Sequence, residues 1–153
     1  MKRIVFVCTG NICRSPMAEG LLRHKWTDSG REDLIVSSMG ISGLDNEPAT
    51  DFAKAVCLEH GFDISKHRSR SMAGDELKAA DLILCMEPVH REFVKTFFPW
   101  YQGKIFLLGA WPGKETRKSG IEDPVGGSRE MYRKTFSVIE THIDRVLPLL
   151  CSP

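Results

Sequence analysis

The sequence lacks the features that would place it in a membrane or on a nucleic acid. It contains no hydrophobic run of transmembrane length, and the apolar run after Lys2 and Arg3 is too short for a signal peptide. The 21 lysines and arginines are balanced by 20 aspartates and glutamates, so the net charge of +1 lacks the basic excess typical of nucleic-acid-binding domains. We therefore expect a soluble, cytoplasmic protein without a membrane or nucleic-acid partner.

The sequence also lacks the usual motifs for metals and nucleotides. Its five cysteines include no paired Cys-x-x-Cys arrangement, and an odd number argues against a secreted disulfide framework and favours a reducing compartment. Neither Gly-x-Gly-x-x-Gly nor Gly-Lys-Ser/Thr occurs, and no internal repeat is present. We expect one monomeric domain over residues 1–153, with no metal and no other cofactor.

What the sequence does contain is an alternation of strand and helix patterns. Apolar runs predict strands over 1–7, 34–38, 81–86 and 104–108, and helical patterns lie between and after them. Ser128 is expected to begin the last helix, whose apolar stripe comprises Tyr132, Phe136, Ile139, Ile143, Val146 and Leu150. Strands alternating with helices imply right-handed crossovers, and therefore an α/β fold with a four-stranded parallel sheet covered on both faces.

The most informative stretch is Cys8-Thr9-Gly10-Asn11-Ile12-Cys13-Arg14-Ser15-Pro16, which follows the first strand. Ser15 before Pro16 predicts a helix N-cap followed by the first helical residue. Gly10 can adopt a positive φ, and Asn11 tolerates one. A short loop that leads into a helix N-terminus turns several backbone N–H groups inward, and the helix dipole adds positive charge there. The stretch therefore predicts a cradle for a phosphate-sized anion.

Two side chains would give this cradle its chemistry. The planar guanidinium of Arg14 can hold two phosphate oxygens at once. The inward N–H groups would favour the Cys8 thiolate, and such surroundings lower a cysteine pKa from about 8.5 to roughly 3.5–7.5. A thiolate beneath a bound phosphorus can attack it in line. The alternative is an inert buried thiol, which would not require glycine, asparagine and arginine after it.

The spacing of Cys8, five intervening residues, Arg14 and Ser15 resembles the signature of the low-molecular-weight protein tyrosine phosphatases. The segment 81–86, His67 within a basic stretch, and Asp123-Pro124 follow in the family's order over essentially the whole chain. The resemblance implies a three-layer fold with the parallel sheet in the order 2-1-3-4. Strand one is then central, and its carboxyl end is the switch point where α/β sheets bind ligands.

The resemblance also implies a division of roles. Cys8 would be the nucleophile, Asp123 the general acid and then the general base, and a phosphocysteine the intermediate. Asp123 precedes a proline, which favours an extended backbone, and lies in the long loop 109–127, of a length that is usually functional. The phosphate-binding residues would be Thr9, Gly10, Asn11, Ile12, Cys13 and Arg14.

Supporting residues follow from the same resemblance. His67 would join Asn11 and Ser15 in a network that holds the phosphate loop. The loop 39–44 would supply a serine to that network. On residue type alone, Arg68 and Arg70 are candidates for holding acidic substrates.

Leu44 and Val125 are the predicted cleft residues. Cys13 is near enough to Cys8 in sequence for a reversible disulfide upon oxidation, with a purely space-filling role as the alternative.

Two sequence features point to different substrates. Val125-Gly126-Gly127 follows Asp-Pro where tyrosine phosphatases often carry aromatic residues, and this resembles the phosphoarginine phosphatase branch of the family. That branch has threonine at the position of Ile12, whereas isoleucine matches the tyrosine-directed members. Because Ile12 lies inside the cradle, we predict phosphotyrosine on a phosphorylated protein, with a tyrosine kinase among the candidate partners. Protein arginine phosphatase is the alternative.

Two further alternatives come from other functional classes. A thiol-dependent arsenate reductase would share the fold and loop but needs a resolving pair of cysteines near the site. Cys85 lies in a predicted buried strand and Cys151 at the far end of the chain, which disfavours that reaction. A phosphate-binding module without turnover would require Cys8 or Asp123 to be disabled.

Overall fold

The structure is a computed structural model that describes residues 1–42, 44–99 and 104–152. The strands and helices match the sequence predictions except at their ends, and the second strand extends beyond its predicted end. In chain order they are β1 (Lys2–Cys8), α1 (Arg14–Asp28), β2 (Leu34–Gly40), α2 (Asp51–Glu59), α3 (Gly74–Ala79), β3 (Leu82–Cys85), α4 (Pro88–Phe97), β4 (Ile105–Leu107) and α5 (Arg129–Leu150).

The four strands form one parallel sheet in the order β2-β1-β3-β4, which confirms the predicted topology. Side chains of β1 alternate between two buried clusters, with Ile4 and Phe6 on one face and Val5 and Val7 on the other. This burial on both faces explains the continuous apolar run at the start of the sequence. Helices α1, α2 and α5 cover the first face, and α3 and α4 cover the second.

The last helix follows its predicted pattern. The Ser128 hydroxyl accepts a hydrogen bond from the Met131 N–H at 3.3 Å, as an N-cap should. All the residues of the predicted apolar stripe, from Tyr132 to Leu150, are buried in the core. None of the helices in the described part of the chain combines the length and apolar character needed to cross a bilayer.

The start of the first helix differs from the sequence prediction. Helix α1 begins at Arg14 with Cys13 as its N-cap, so Ser15 lies within the first turn and Pro16 follows it. The prediction that Ser15 caps the helix is wrong because its hydroxyl bonds with the side chains of Cys8 and Asn11 instead. The side chain is thereby turned away from the free N–H groups of its own helix.

The positive φ of the loop belongs to Asn11, at 59°, and not to Gly10. Asparagine tolerates this conformation because its short polar side chain can bond locally. Gly10 has a different role, because a Cβ at that position would lie 2.9 Å from Leu44 Cδ1. The glycine therefore leaves room for the Leu44 side chain above the loop.

Strand register brings the loop that follows β1 to the carboxyl edge of the sheet. Cys8 is paired with Gly40 of β2, and Val7 with Cys85 of β3. The Met86 N–H continues this edge by donating to the Val7 carbonyl at 3.0 Å. The segments that follow β1, β2 and β3 therefore meet at one place.

Gly40 allows the close approach of β2 to this loop. A Cβ at Gly40 would lie 2.6 Å from the Thr9 carbonyl oxygen and 3.0 Å from the Asn11 nitrogen, both of them backbone atoms. We predict that Gly40→Ala lowers the free energy of unfolding in urea by about 1–3 kcal/mol, because the loop must move to admit the methyl group. Gly120→Ala is the control, since its Cβ would make only ordinary contacts, with Glu87 Cγ at 3.7 Å and Pro88 Cδ at 3.9 Å. Equal stability of the two variants would contradict the prediction.

Candidate active site

A pocket of about 210 Å³ opens at the carboxyl end of β1. It brings together the predicted nucleophile, the predicted phosphate-binding arginine and the predicted general acid. Its lining residues are Cys8, Thr9, Gly10, Ile12, Cys13, Arg14, Ser42, Leu44, Asp123 and Val125. A larger groove of about 750 Å³, between α4, α5 and the loop 116–122, contains no cysteine. We therefore take the smaller pocket as the candidate active site.

Hydrogen bonds around Cys8 point toward its sulfur. The Asn11 backbone N–H donates to Cys8 Sγ at 3.3 Å, and Ser15 Oγ lies 2.8 Å from the same atom. Asn11 Nδ2 donates to Ser15 Oγ at 2.8 Å, which leaves the Ser15 hydroxyl hydrogen for the sulfur. This arrangement stabilises the thiolate form of Cys8.

Burial opposes this stabilisation. The Cys8 side chain is only 2% exposed, and burial raises the pKa of its thiol above the ordinary value. The bonds from Ser15, the charge of Arg14 and the bond from Asn11 each lower that pKa, but to a smaller extent. The prediction of a lowered pKa is therefore wrong in direction, because it considered the inward N–H groups and not the desolvation of the sulfur.

The predicted phosphate-binding loop is held from two sides through Asn11. Its Nδ2 also donates to Ser38 Oγ at 2.9 Å, and its Oδ1 accepts from the Arg70 backbone N–H at 3.0 Å. The imidazole Nε2 of His67 lies 2.7 Å from the Asn11 carbonyl oxygen. The structure thus places the predicted supporting residues Asn11, Ser15 and His67 in one network.

The serine that joins this network was predicted in the wrong segment. Ser38 Oγ lies within β2, and it donates onward to Glu19 Oε1 at 2.7 Å. In the segment 39–44, Ser42 holds the loop through its backbone N–H, which donates to the Thr9 carbonyl at 2.9 Å. The strand position was missed because a serine pointing toward a loop looks, in sequence, like any polar residue near a strand end.

Arg14 is buried and held at one end. Its Nη1 donates to Glu87 Oε1 at 2.6 Å and to the Ile121 carbonyl at 2.7 Å. Its Nη2 donates to Thr9 Oγ1 at 3.3 Å and lies 3.4 Å from Asp123 Oδ2. Because Glu87 and Ile121 occupy Nη1, the Nη2 end is the one grouped with the pocket residues Thr9 and Asp123.

Asp123 reaches the pocket from the long loop. Its Oδ1 accepts the Val125 N–H at 3.1 Å, and its other oxygen faces Arg14. The loop itself is tied to the sheet edge, because the Ile121 N–H donates to the Met86 carbonyl at 2.9 Å. A carboxyl group is thereby positioned beside the buried guanidinium of Arg14.

The amino-acid sequence of the whole chain, and not only that of the site, matches a known protein family. The family model described as low molecular weight phosphotyrosine protein phosphatase covers residues 3–150. The chain belongs to this family. It is 38% identical over 141 residues to the low molecular weight protein-tyrosine-phosphatase Ptp of Acinetobacter johnsonii, with 92% of each chain covered.

Relatives named as arginine phosphatases and relatives named as tyrosine phosphatases both resemble this chain. It is 35% identical over 144 residues to a protein-arginine-phosphatase of Geobacillus stearothermophilus, covering 94% of this chain and 93% of the other. The structure of a low molecular weight protein tyrosine phosphatase from T. tengcongensis matches with a TM-score of 0.89 and 38% identity, covering 97% of this chain and 99% of that one. Overall similarity therefore does not separate the two substrate classes.

The predicted cleft residues lie at the rim of the family's pocket. Leu44 is 40% exposed and Val125 is 53% exposed, and both line the opening above the phosphate loop. Arg70, in contrast, is bound to Glu76 and to the Ser38 carbonyl, and so it is not free for an acidic substrate. Arg68 is exposed and bonds with the backbone carbonyls of its own turn.

The cysteines differ in the pKa of their thiols and in whether they line the pocket. All five are free, and within the described ranges only Cys13 shares the pocket with Cys8. Burial raises the pKa of Cys57 to about 12 and also raises that of Cys85, which leaves both as unreactive thiols. A Cys8–Cys13 disulfide remains a prediction, and none of Cys57, Cys85 and Cys151 lines the pocket as the second resolving thiol of an arsenate reductase would.

No cluster of three or more histidine, cysteine, aspartate or glutamate side chains suited to a metal ion occurs among the residues that the structure describes.

Sequence reasoning missed three residues around the loop. Glu87 pairs with Arg14, His90 Nε2 lies 2.9 Å from Thr9 Oγ1, and the Tyr132 hydroxyl lies 3.3 Å from Cys13 Sγ. A signal existed for the first two, because they lie within five residues of the carboxyl end of β3, the strand that neighbours β1. No local pattern distinguished Tyr132 from an ordinary core residue of α5.

The bond from Ser15 to Cys8 is testable through thiol reactivity. We predict that Ser15→Ala raises the pKa of Cys8 and moves the pH profile of iodoacetamide alkylation to higher pH, because the thiolate loses a donor. The rate at pH 7 should fall about 10-fold or more. Thr50→Val is the control, since the Thr50 hydroxyl contacts Cys13 and not Cys8. An unchanged profile in Ser15→Ala would show that Ser15 does not support the thiolate.

Proposed function

We propose that this protein hydrolyses phosphotyrosine in proteins through a phosphocysteine intermediate. Cys8 is the nucleophile, Arg14 binds the phosphate, and Asp123 serves as general acid and then as general base. The observation that carries the proposal is the hydrogen bond of 3.3 Å from the Asn11 backbone N–H to Cys8 Sγ, in a pocket that Arg14 and Asp123 also line. Membership of the phosphatase family supports it.

In the first step, the Cys8 thiolate attacks phosphorus while the bond from phosphorus to the tyrosine oxygen breaks. The loop N–H groups and Arg14 stabilise the charge on the equatorial oxygens. Asp123 gives its proton to the departing phenolate, which would otherwise be a poor leaving group. The products of this step are free tyrosine on the protein and a phosphocysteine at position 8.

In the second step, the ionised Asp123 accepts a proton from water, and the resulting hydroxide attacks the phosphocysteine. The sulfur–phosphorus bond breaks, inorganic phosphate leaves, and the Cys8 thiolate is restored. Asp123 keeps the proton that it took from water and the phosphate carries away the hydroxyl group, so the enzyme returns to its starting state. The positive charge for both steps comes from Arg14 and the peptide dipoles of the loop.

Apolar rim residues support an aromatic substrate. Ile12, Leu44 and Val125 line the opening, and they suit the flat apolar surface of a phenyl ring better than a charged guanidinium group. We infer a phosphorylated protein as substrate, a tyrosine kinase as a candidate substrate or partner, and the cytoplasm as location. Arginine phosphatase is the second candidate, favoured by the glycines after Val125 and by a 35% identical relative of that name.

The proton donor can be tested through leaving groups. We predict that Asp123→Asn lowers kcat/KM, which reports only the first step, about 10²- to 10⁴-fold for phenyl phosphate and much less for p-nitrophenyl phosphate, whose leaving group needs less help. Cys8→Ser should abolish turnover of both compounds. Equal losses on the two substrates would argue against Asp123 as the acid.

Substrate class is decided by comparing phosphotyrosine and phosphoarginine peptides of matched sequence. We predict a higher kcat/KM for phosphotyrosine in the wild-type protein, because Ile12 offers no hydroxyl to orient water toward a guanidinium phosphate. Ile12→Thr should move the ratio toward phosphoarginine by about 10-fold. Ile12→Val keeps an apolar branched side chain and serves as control. A wild-type preference for phosphoarginine would identify the second candidate function as correct.

A further inference from the structure

The residue directly after the nucleophile has a hydroxyl with two neighbours. Thr9 Oγ1 lies 2.9 Å from His90 Nε2 and 3.3 Å from Arg14 Nη2. Thr9 also lines the pocket. The direction of these two hydrogen bonds determines where the hydroxyl hydrogen of Thr9 points.

The tautomer of His90 follows from its other nitrogen. The Glu87 backbone N–H donates to His90 Nδ1 at 3.0 Å, and since a backbone N–H can only donate, Nδ1 carries no hydrogen. Burial, together with the charge of Arg14, lowers the pKa of His90 to about 4, so the ring is neutral near pH 7. The single ring hydrogen therefore sits on Nε2 and is donated to Thr9 Oγ1.

Both lone pairs of the Thr9 hydroxyl are then used. A hydroxyl has one hydrogen and accepts two hydrogen bonds, and His90 and Arg14 supply both donors. Within the described ranges, no acceptor is bonded to the Thr9 hydrogen. These donors occupy two of the three positions around the hydroxyl oxygen, which leaves the third for its hydrogen. Because Thr9 lines the pocket, an anion bound there is an available acceptor for that hydrogen.

We propose that the Thr9 hydroxyl donates a hydrogen bond to the phosphoryl group of the substrate, with His90 as the positioning residue that keeps the donor turned toward it. The proposal rests on the proposed function for the identity of the ligand, and it adds a side-chain donor to the backbone donors of the loop. A hydroxyl ordinarily rotates, whereas this one is oriented before the substrate arrives.

The Glu87–His90 turn explains how the orientation is maintained. Glu87 is the N-cap of α4 and His90 is its third helical residue, so the bond from the Glu87 N–H to the imidazole belongs to the helix start itself. The same Glu87 holds the other end of Arg14 through its carboxylate. One helix terminus therefore orients both donors that converge on Thr9 Oγ1.

Affinity for inorganic phosphate tests the donor without requiring turnover. We expect Thr9→Val to weaken phosphate binding about 10- to 100-fold by isothermal titration calorimetry, because a bond to a charged group is lost while the shape is kept. Thr9→Ser, which keeps the hydroxyl, should bind within about threefold of wild type. Phosphate binding by Thr9→Val within about twofold of wild type would overturn the proposal. Since binding is measured directly, a protein inactive on phosphotyrosine that still shows this difference would count against the proposed function alone.

A double-mutant comparison tests the role of His90. We expect His90→Ala to weaken phosphate binding in the wild-type background and to have no further effect in the Thr9→Val background, because His90 acts through Thr9. Equal losses in both backgrounds would overturn the positioning role. His90→Gln, which keeps an N–H donor, should restore binding to within about threefold and provides a second variant if the alanine protein does not fold. His142→Ala on α5 is the control histidine, and it should bind phosphate like wild type.

Discussion

The site depends on one buried amide, that of Asn11. Its side chain is fully buried, and both of its polar atoms are bonded: Nδ2 to Ser15 and Ser38, and Oδ1 to the Arg70 N–H. The backbone at Asn11 is left-handed, with φ of 59°. A buried polar group without its partner costs about 1–3 kcal/mol, so these bonds hold the amide in one position. The direction of the N–H group that faces Cys8 follows from that position.

Electrostatic compensation is the second constraint on the site. Arg14 is 1% exposed, and a buried charge without a partner is strongly destabilising. Glu87 and the Ile121 carbonyl satisfy its Nη1 end, which leaves Nη2 beside Thr9 and Asp123. The arginine is thus stable in the protein and still presents positive charge to the pocket. Since Glu87 follows β3, this balance depends on the pairing of β3 with β1.

The burial that protects the site also works against its nucleophile. Desolvation raises the pKa of Cys8, while Ser15, Arg14 and the Asn11 N–H act in the opposite direction. A thiol at the bottom of a narrow pocket requires several donors to offset the desolvation of its thiolate form. The number of hydrogen bonds directed at one sulfur is explained by this requirement. The rim, by contrast, carries few constraints, which is consistent with a family whose members have both tyrosine and arginine phosphatase names.

By itself, the sequence determined the order of strands and helices and the position of the loop between β1 and α1, because periodic burial and the contiguous stretch from Cys8 to Ser15 are local patterns. It did not determine the cap of α1, the serine that bonds with Asn11, or the direction of the Cys8 pKa. Those were decided by tertiary structure, since Ser38 and Glu87 reach the loop only through strand pairing, and desolvation is a property of the packed site. The local geometry of the loop thus follows from residues that are neighbours in sequence. Its electrostatics follow from residues distant in sequence that the fold brings close to it.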